Sequence, residues 1–299
     1  MQIGVSSLSQ VRIRAIRGEH SEGELEALLA RTFPVLPGKS LFDDFPVWRF
    51  PVDKLQLGAY VGEKLVSTAS VRLANVSLSA IEQISAALIG CVATDEKWRG
   101  KGLASVLVEG LIDWSIKRKA DLAVLWGSEE KMYKRLGFSL KGTQARVVLS
   151  DLSLSSSASA QVHKAWNPRI FDCLKSRECG LSLSMTDLKW IEAHKNITWY
   201  WMGTKQEITA YAAVGKGIDL AGMIHEWGGE QKALYQLLHT LQKENPSLQL
   251  LGHPEQLSRF APASAMKIEY LCMARGLNPK MGDLDAIFRK LWFWGLDSV

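Results

Sequence analysis

The chain has 299 residues, 47% hydrophobic and 22% charged, a composition that describes a globular protein of one large or two ordinary domains and excludes a disordered or fibrous chain. No apolar run approaches the ~18 residues of a membrane span, and the opening MQIGVSSLSQVRIRAIR lacks a signal peptide's apolar centre, so a cytoplasmic protein is expected. The net charge of +5 comes without a dense Lys/Arg run, and Cys91, Cys173, Cys179 and Cys272 form no CxxC pair; a small anionic ligand is expected rather than nucleic acid, and buried thiols rather than a zinc site or disulfides.

Val11 to Ile16 reads as a short strand, and SEGELEALLARTF then places Leu25, Leu28 and Leu29 on one helical face behind a capping box of Ser21 and Glu24. Pro34, Pro37, Gly38, Pro46 and Pro51 make the next segment irregular; its Phe42, Phe45 and Trp48 are suited to wall a pocket or to pack as a buried cluster. Two strand-like runs around Gly62, Glu63 and Lys64 signal a hairpin, and ISAALIGCVAT adds an apolar central strand. Leu103, Val106, Leu107, Leu111 and Trp114 recur at helical spacing, DLAVLW gives a buried strand, and GSEEKMYKRLGF a helix from an N-cap at Ser128 to Gly137.

The Ser-rich tract SDLSLSSSASAQ is the best linker candidate and divides the chain into residues 1–150 and 151–299. Beyond it the pattern repeats: WYWMGTKQEITAYAAV echoes GAYVGEKLVSTASV, and LQLLGHPEQLSRF echoes LAVLWGSEEKMYKRLGF, as in a duplicated α/β fold with mixed sheets. Trp199, Trp201, Trp292 and Trp294 alternate with apolar neighbours, which packing explains. His225 and His253 sit beside strands as structural histidines, and AVGKGID around Lys216 reads as a hairpin turn. The ending FRKLWFWGLDSV is too apolar to trail in water and is expected to be buried, as a final strand or as a tail.

The stretch VATDEKWRGKGLASVLVEGL carries the chemistry. A loop entering a helix offers amides without intrahelical partners at the positive end of the helix dipole; Gly100 and Gly102 let an anion approach, and Arg99 and Lys101 add charge. A P-loop would need Ser or Thr after Lys101, where Gly102 stands, and a dinucleotide fingerprint would need Gly where Ser105 stands. Arg99, Gly102 and Ala104 instead match R-x-x-G-x-A, and MYKRLGF supplies Tyr133 four residues before the Gly137-Phe138 pair. Over residues 11 to 149 the sequence thereby resembles the GNAT superfamily of N-acetyltransferases.

The resemblance implies acetyl-CoA as acyl donor, an amine acceptor and direct attack in a ternary complex, with no metal. Backbone groups of Arg99, Gly100, Lys101, Gly102, Leu103 and Ala104 would cradle the pyrophosphate, and the strand of Cys91, Val92, Ala93 and Thr94 would pair with the pantetheine arm. Tyr133 would protonate the departing thiolate. No residue identifies itself as the base; Glu82 and Asp95, on or beside the central strand, are candidates. Some tandem members of the family send the chain end into the site, which makes the Val299 carboxylate another. The second half resembles a degenerate copy, with HEWGGEQKAL in place of TDEKWRGKGLA, so one CoA site is expected. Three alternatives stay open, a non-catalytic acyl-CoA sensor, an aminoacyl-tRNA-dependent transferase and a pure interaction protein that binds no CoA. No membrane partner is expected, and a homo-oligomer is compatible with the sequence.

Overall fold

Alternating apolar residues drive the first part of the chain into strands. The computed structural model describes residues 10–79, 81–154 and 161–299. In it β1 (Val11–Ala15) leads to α1 (Glu19–Thr32), the short α2 (Leu41–Asp44) and a meander of β2 (Lys54–Val61), β3 (Lys64–Ser77) and β4 (Gln83–Thr94). Gly62, at φ 59°, turns β2 into β3 with Val61 opposite Lys64, a two-residue hairpin. Next, α3 (Leu103–Lys117) crosses over to β5 (Leu122–Leu125), which runs parallel to β4, and α4 (Glu130–Arg135) precedes β6 (Ser139–Val148). Leu103, Leu107, Val108, Leu111 and Ile112 of α3 share one core with Val71, Ala87 and Ile89 of the sheet.

The remainder begins with β7 (His163–Lys164), α5 (Ile170–Lys175), β8 (Gly180–Leu181) and α6 (Leu188–Glu192). A second meander follows, of β9 (Thr198–Gly203), β10 (Ile208–Val214) and β11 (Met223–Gly229), and α7 (Gln231–Glu244) crosses to β12 (Gln249–Gly252), parallel to β11. α8 (Pro254–Leu257), β13 (Lys267–Gly276) and α9 (Leu284–Phe288) complete the described elements. All the strands join one mixed sheet in the order β1-β2-β3-β4-β5-β13-β6-β12-β11-β10-β9-β7, with β8 alongside β3. From late in the chain, β13 inserts between β5 and β6, antiparallel to both, and β6 pairs in turn with β12. The exchange gives the backbone groups of these buried strands ladder partners on both sides.

Several local expectations change. α1 starts at Glu19 behind Gly18, whose φ of 82° turns the chain into the helix, so Ser21 and Glu24 fall inside it and form no capping box; Glu24 instead accepts from the Leu65 amide at 3.4 Å. Glu129, not Ser128, holds the N-cap position of α4. No strand forms after β13 among the described residues: the tail beyond α9 is irregular, with one 3-10 turn at Gly295–Asp297. Of the four free cysteines, Cys91 and Cys272 are buried while Cys173 and Cys179 are half-buried. Half of the Ser-rich tract, residues 155–160, lies outside the described residues.

Candidate active site

β4 and β5 stay paired only from Ala86 opposite Leu122 to Ile89 opposite Leu125. Where they part, β4 bulges: Gly90 pairs with Ser70 and Ala93 with Thr68, so Cys91 and Val92 stand against Ala69 alone, and Cys91 takes the left-handed φ of 52°. A non-glycine residue there is strained and must be held by its surroundings. The gap opens into a cavity of about 570 Å³ lined by Gly90, Cys91 and Val92 on one side, by Gly127, Ser128, Glu129 and Tyr133 on another, and by the tail residues Phe293, Trp294, Ser298 and Val299. Burial holds the Cys91 thiol at about 12, protonated and unreactive at neutral pH.

Just past the bulge lies the Arg99–Ala104 loop. Asp95 caps a 3-10 turn at Glu96–Trp98, accepting from the Lys97 amide at 3.2 Å, and the Arg99 guanidinium donates back to the Thr94 carbonyl at 3.2 Å. Gly100 and Gly102 take φ of 74° and 80°, and a Cβ built on either meets nothing within 4 Å. The amides of Gly100, Lys101, Gly102, Leu103, Ala104 and Ser105 find no acceptor among the described residues. These donors lie at the positive end of a 15-residue helix, where Gly100 and Gly102 are exposed. A diphosphate fits there, since the cradle is one that side chains at positions 100 and 102 would fill. Lys101 lies over the Trp98 ring at 4.1 Å, leaving the backbone as the gripping surface.

Tyr133 is 5% exposed and its ring lies over the backbone of Gly127, where a Cβ would meet the phenol carbon Cε2 at 2.6 Å. Burial first, and the Glu129 charge second, push its hydroxyl up to about 12. Val299 reaches the cavity from the far end of the chain, its main-chain oxygen 2.6 Å from where a Gly90 Cβ would stand. Glu82 stands apart: it precedes β4 at the opposite end from the bulge, ion-pairs with Lys290 at 3.5 Å and does not line the cavity. Asp95 does not line it either; its carboxylate serves the cap and faces Arg31 at 3.8 Å. Of the aromatic segment only Phe45 lines the cavity, while Phe42 and Trp48 are core residues.

A buried polar cluster that sequence reasoning missed places the tail. Arg177 donates to Glu226 and to Asp297, both at 2.9 Å, with the three side chains between 0% and 4% exposed. Glu226 also accepts from the Leu296 amide at 2.9 Å, and Asp297 from the amides of Trp294 at 3.0 Å and Leu181 at 3.2 Å. Burial pushes the Glu226 carboxyl up, opposed by Arg177. Lys216 is far more than a turn residue: 2% exposed, its ammonium donates to the carbonyls of Gly295 at 2.7 Å and Ser298 at 2.9 Å and to the Ser298 hydroxyl at 3.0 Å. Desolvation lowers it to about 7. The only local cue was Lys216 between Gly215 and Gly217, both at positive φ, where the backbone bends sharply enough to turn a lysine inward.

A bulged strand splaying from its parallel neighbour, a glycine loop with free amides and a buried tyrosine agree with a comparison of the sequence to protein families, in which residues 22–141 match the model of the acetyltransferase (GNAT) domain. Residues 22–141 are a GNAT domain. No protein of curated function matches the sequence significantly. Likeness of fold extends further than the matched residues, since solved structures align with most of the chain. One is a probable N-acyltransferase of unknown function from Enterococcus faecalis V583, with TM-score 0.68 and 17% identity over 91% of this chain and 73% of that one. Another is a GCN5-related N-acetyltransferase from Anabaena variabilis, with TM-score 0.67 and 14% identity over 90% of this chain and 74% of that one. A GCN5-related N-acetyltransferase from Kribbella flavida has TM-score 0.65 and 15% identity over 92% and 74% of the two chains. Among the described residues no helix is long and apolar enough to cross a membrane.

Proposed function

We propose that this protein transfers an acetyl group from acetyl-CoA to a primary amine by direct attack in a ternary complex. The observation that carries the reading is the set of six amides from Gly100 to Ser105, without backbone acceptors among the described residues, in the loop that follows β4. In this reading they hold the pyrophosphate of the donor, whose chemistry is an activated thioester. The bulged edge at Cys91 and Val92 pairs with the pantetheine amides as an added strand would. Tyr133, protonated at neutral pH, donates its proton to the thiolate that leaves. The Val299 carboxylate is the base the geometry supports best, because it is the carboxylate brought against Gly90. Glu82 and Asp95 have no part in this mechanism.

We read residues 151–299 as a degenerate copy of the first half. Support comes from the order of its elements, a meander, a crossover helix and a parallel strand, and its work here is to hold the tail through Lys216, Arg177 and Glu226. Titration calorimetry with acetyl-CoA, followed by thiol release against pooled amines, tests the reading. Stoichiometric binding and release are expected; binding without release from any pool refutes transfer, and absence of binding refutes the donor site.

A further inference from the structure

The walls of the cavity of about 570 Å³ differ in character. Resting on the acyl transfer read above, we propose that the acceptor is a primary amine bearing a compact apolar body, most simply an arylalkylamine, entering as its ammonium form. Across from β4 the walls are Phe33, Phe45, Leu220, Leu271, Phe293 and Trp294, contributed by the ends of α1 and α2, the β10–β11 connection, β13 and the tail. These walls are braced: Phe293 stands edge-on to Trp126 at 5.4 Å, and the Lys216 ammonium backs the Phe45 ring at 4.3 Å. An acceptor that fills this space gains by removing apolar surface from water.

Charge selects the other end of the ligand. Glu129, Asp219 and the Val299 carboxylate line the cavity. Lys216, the cation facing them, has its donors taken by Gly295 and Ser298. The field therefore favours one ammonium near Gly90 and disfavours an anionic acceptor. A polyamine could set its further charges against Glu129 and Asp219 but would leave the apolar walls unfilled, so it gains nothing from them. Once bound, the ammonium loses one proton to the Val299 carboxylate and the free amine attacks the thioester carbon; as the C–S bond breaks, the thiolate takes a proton from Tyr133, whose oxygen recovers one from the acylated nitrogen as the neutral amide forms.

Turnover of 2-phenylethylamine, ethanolamine and spermidine with acetyl-CoA tests the assignment on the full chain. The expected kcat/KM for 2-phenylethylamine exceeds that for ethanolamine by about 10- to 200-fold, as for apolar groups in a fitted pocket, and Leu220→Gln narrows that ratio. Equal use of the three amines, or a preference for spermidine, overturns it. So does faster reaction of octanoyl-CoA than of acetyl-CoA with the two small amines equivalent, because the apolar walls then serve the acyl chain. Quenching of tryptophan fluorescence by each amine without acyl-CoA separates this inference from the one beneath it. Selective quenching by 2-phenylethylamine in a protein that releases no thiol supports the amine site and refutes acyl transfer.

Discussion

The two crossovers of the molecule, β4 into α3 and β11 into α7, start from the same geometry and end differently. In each, a strand runs parallel to its neighbour briefly and then parts from it, after Ile89 in the first and after Ile224 in the second. The first gap is a cavity reached by a long glycine loop whose amides are free. The second is closed. Trp227 spans it to donate to the Leu251 carbonyl at 2.7 Å, Gly295 packs so close to the His225 ring that a Cβ would stand 2.3 Å from its Nδ1, and Glu226 holds the Leu296 amide. No loop precedes α7, since Gly229 is pressed against the Thr209 carbonyl and Glu230 donates its amide there at 2.7 Å. The tail that seals the second gap delivers Val299 to the first, so the closed region supplies part of the wall of the open one.

The largest effect should come from opening the sealed gap. Arg177→Met leaves Glu226 and Asp297 buried without their cation, and about 3–5 kcal/mol of stability should be lost in urea denaturation; an unchanged midpoint would show that the cluster does not hold the tail. In the open gap, Tyr133→Phe keeps the ring over Gly127 and removes the proton donor, so kcat should fall by about 100-fold or more with acetyl-CoA affinity unchanged. Equal kcat for the variant would reduce Tyr133 to packing.

Gly102→Val places a branched side chain at φ 80° in the anion cradle, and acetyl-CoA should bind roughly 10- to 100-fold more weakly, from a strain of about 1–3 kcal/mol. Gln231→Ala, at the start of α7, should change nothing in the same titration, since the second helix offers no cradle; weaker binding there would mean that both crossovers hold donor. The smallest effect is a slope. Burial holds His194 and His225 at about 3, whereas in the unfolded chain they take a proton near the ordinary 6.5. Between those values the unfolded state binds more protons, so stability should fall as pH drops from 6.5 toward 3, and His225→Gln should flatten the fall in urea midpoints over that window.

How much of this was legible in the sequence follows the range of the interactions. The positive φ of Gly100 and Gly102 was legible in RGKGLA because it is settled within a few residues, and the helix that carries Tyr133 was legible in MYKRLGF for the same reason. Glu82 looked eligible by adjacency to the central strand, but residues 83–90 of β4 separate it from the bulge at Cys91. Lys216 looked like any residue of a Gly-Lys-Gly turn, because its acceptors lie 79 and 82 positions further on.

Taken by itself, the sequence determined the elements, the glycine loop at a helix start and the order of strands and helices, since each depends on backbone preferences and apolar spacing over a dozen residues or so. Only the tertiary structure decided that β13 inserts between β5 and β6, that Arg177 meets partners 49 and 120 positions away, and that Val299 ends beside Gly90. Those outcomes rest on which buried edges and charges must find partners once the sheet has formed, and no local window of residues contains that information.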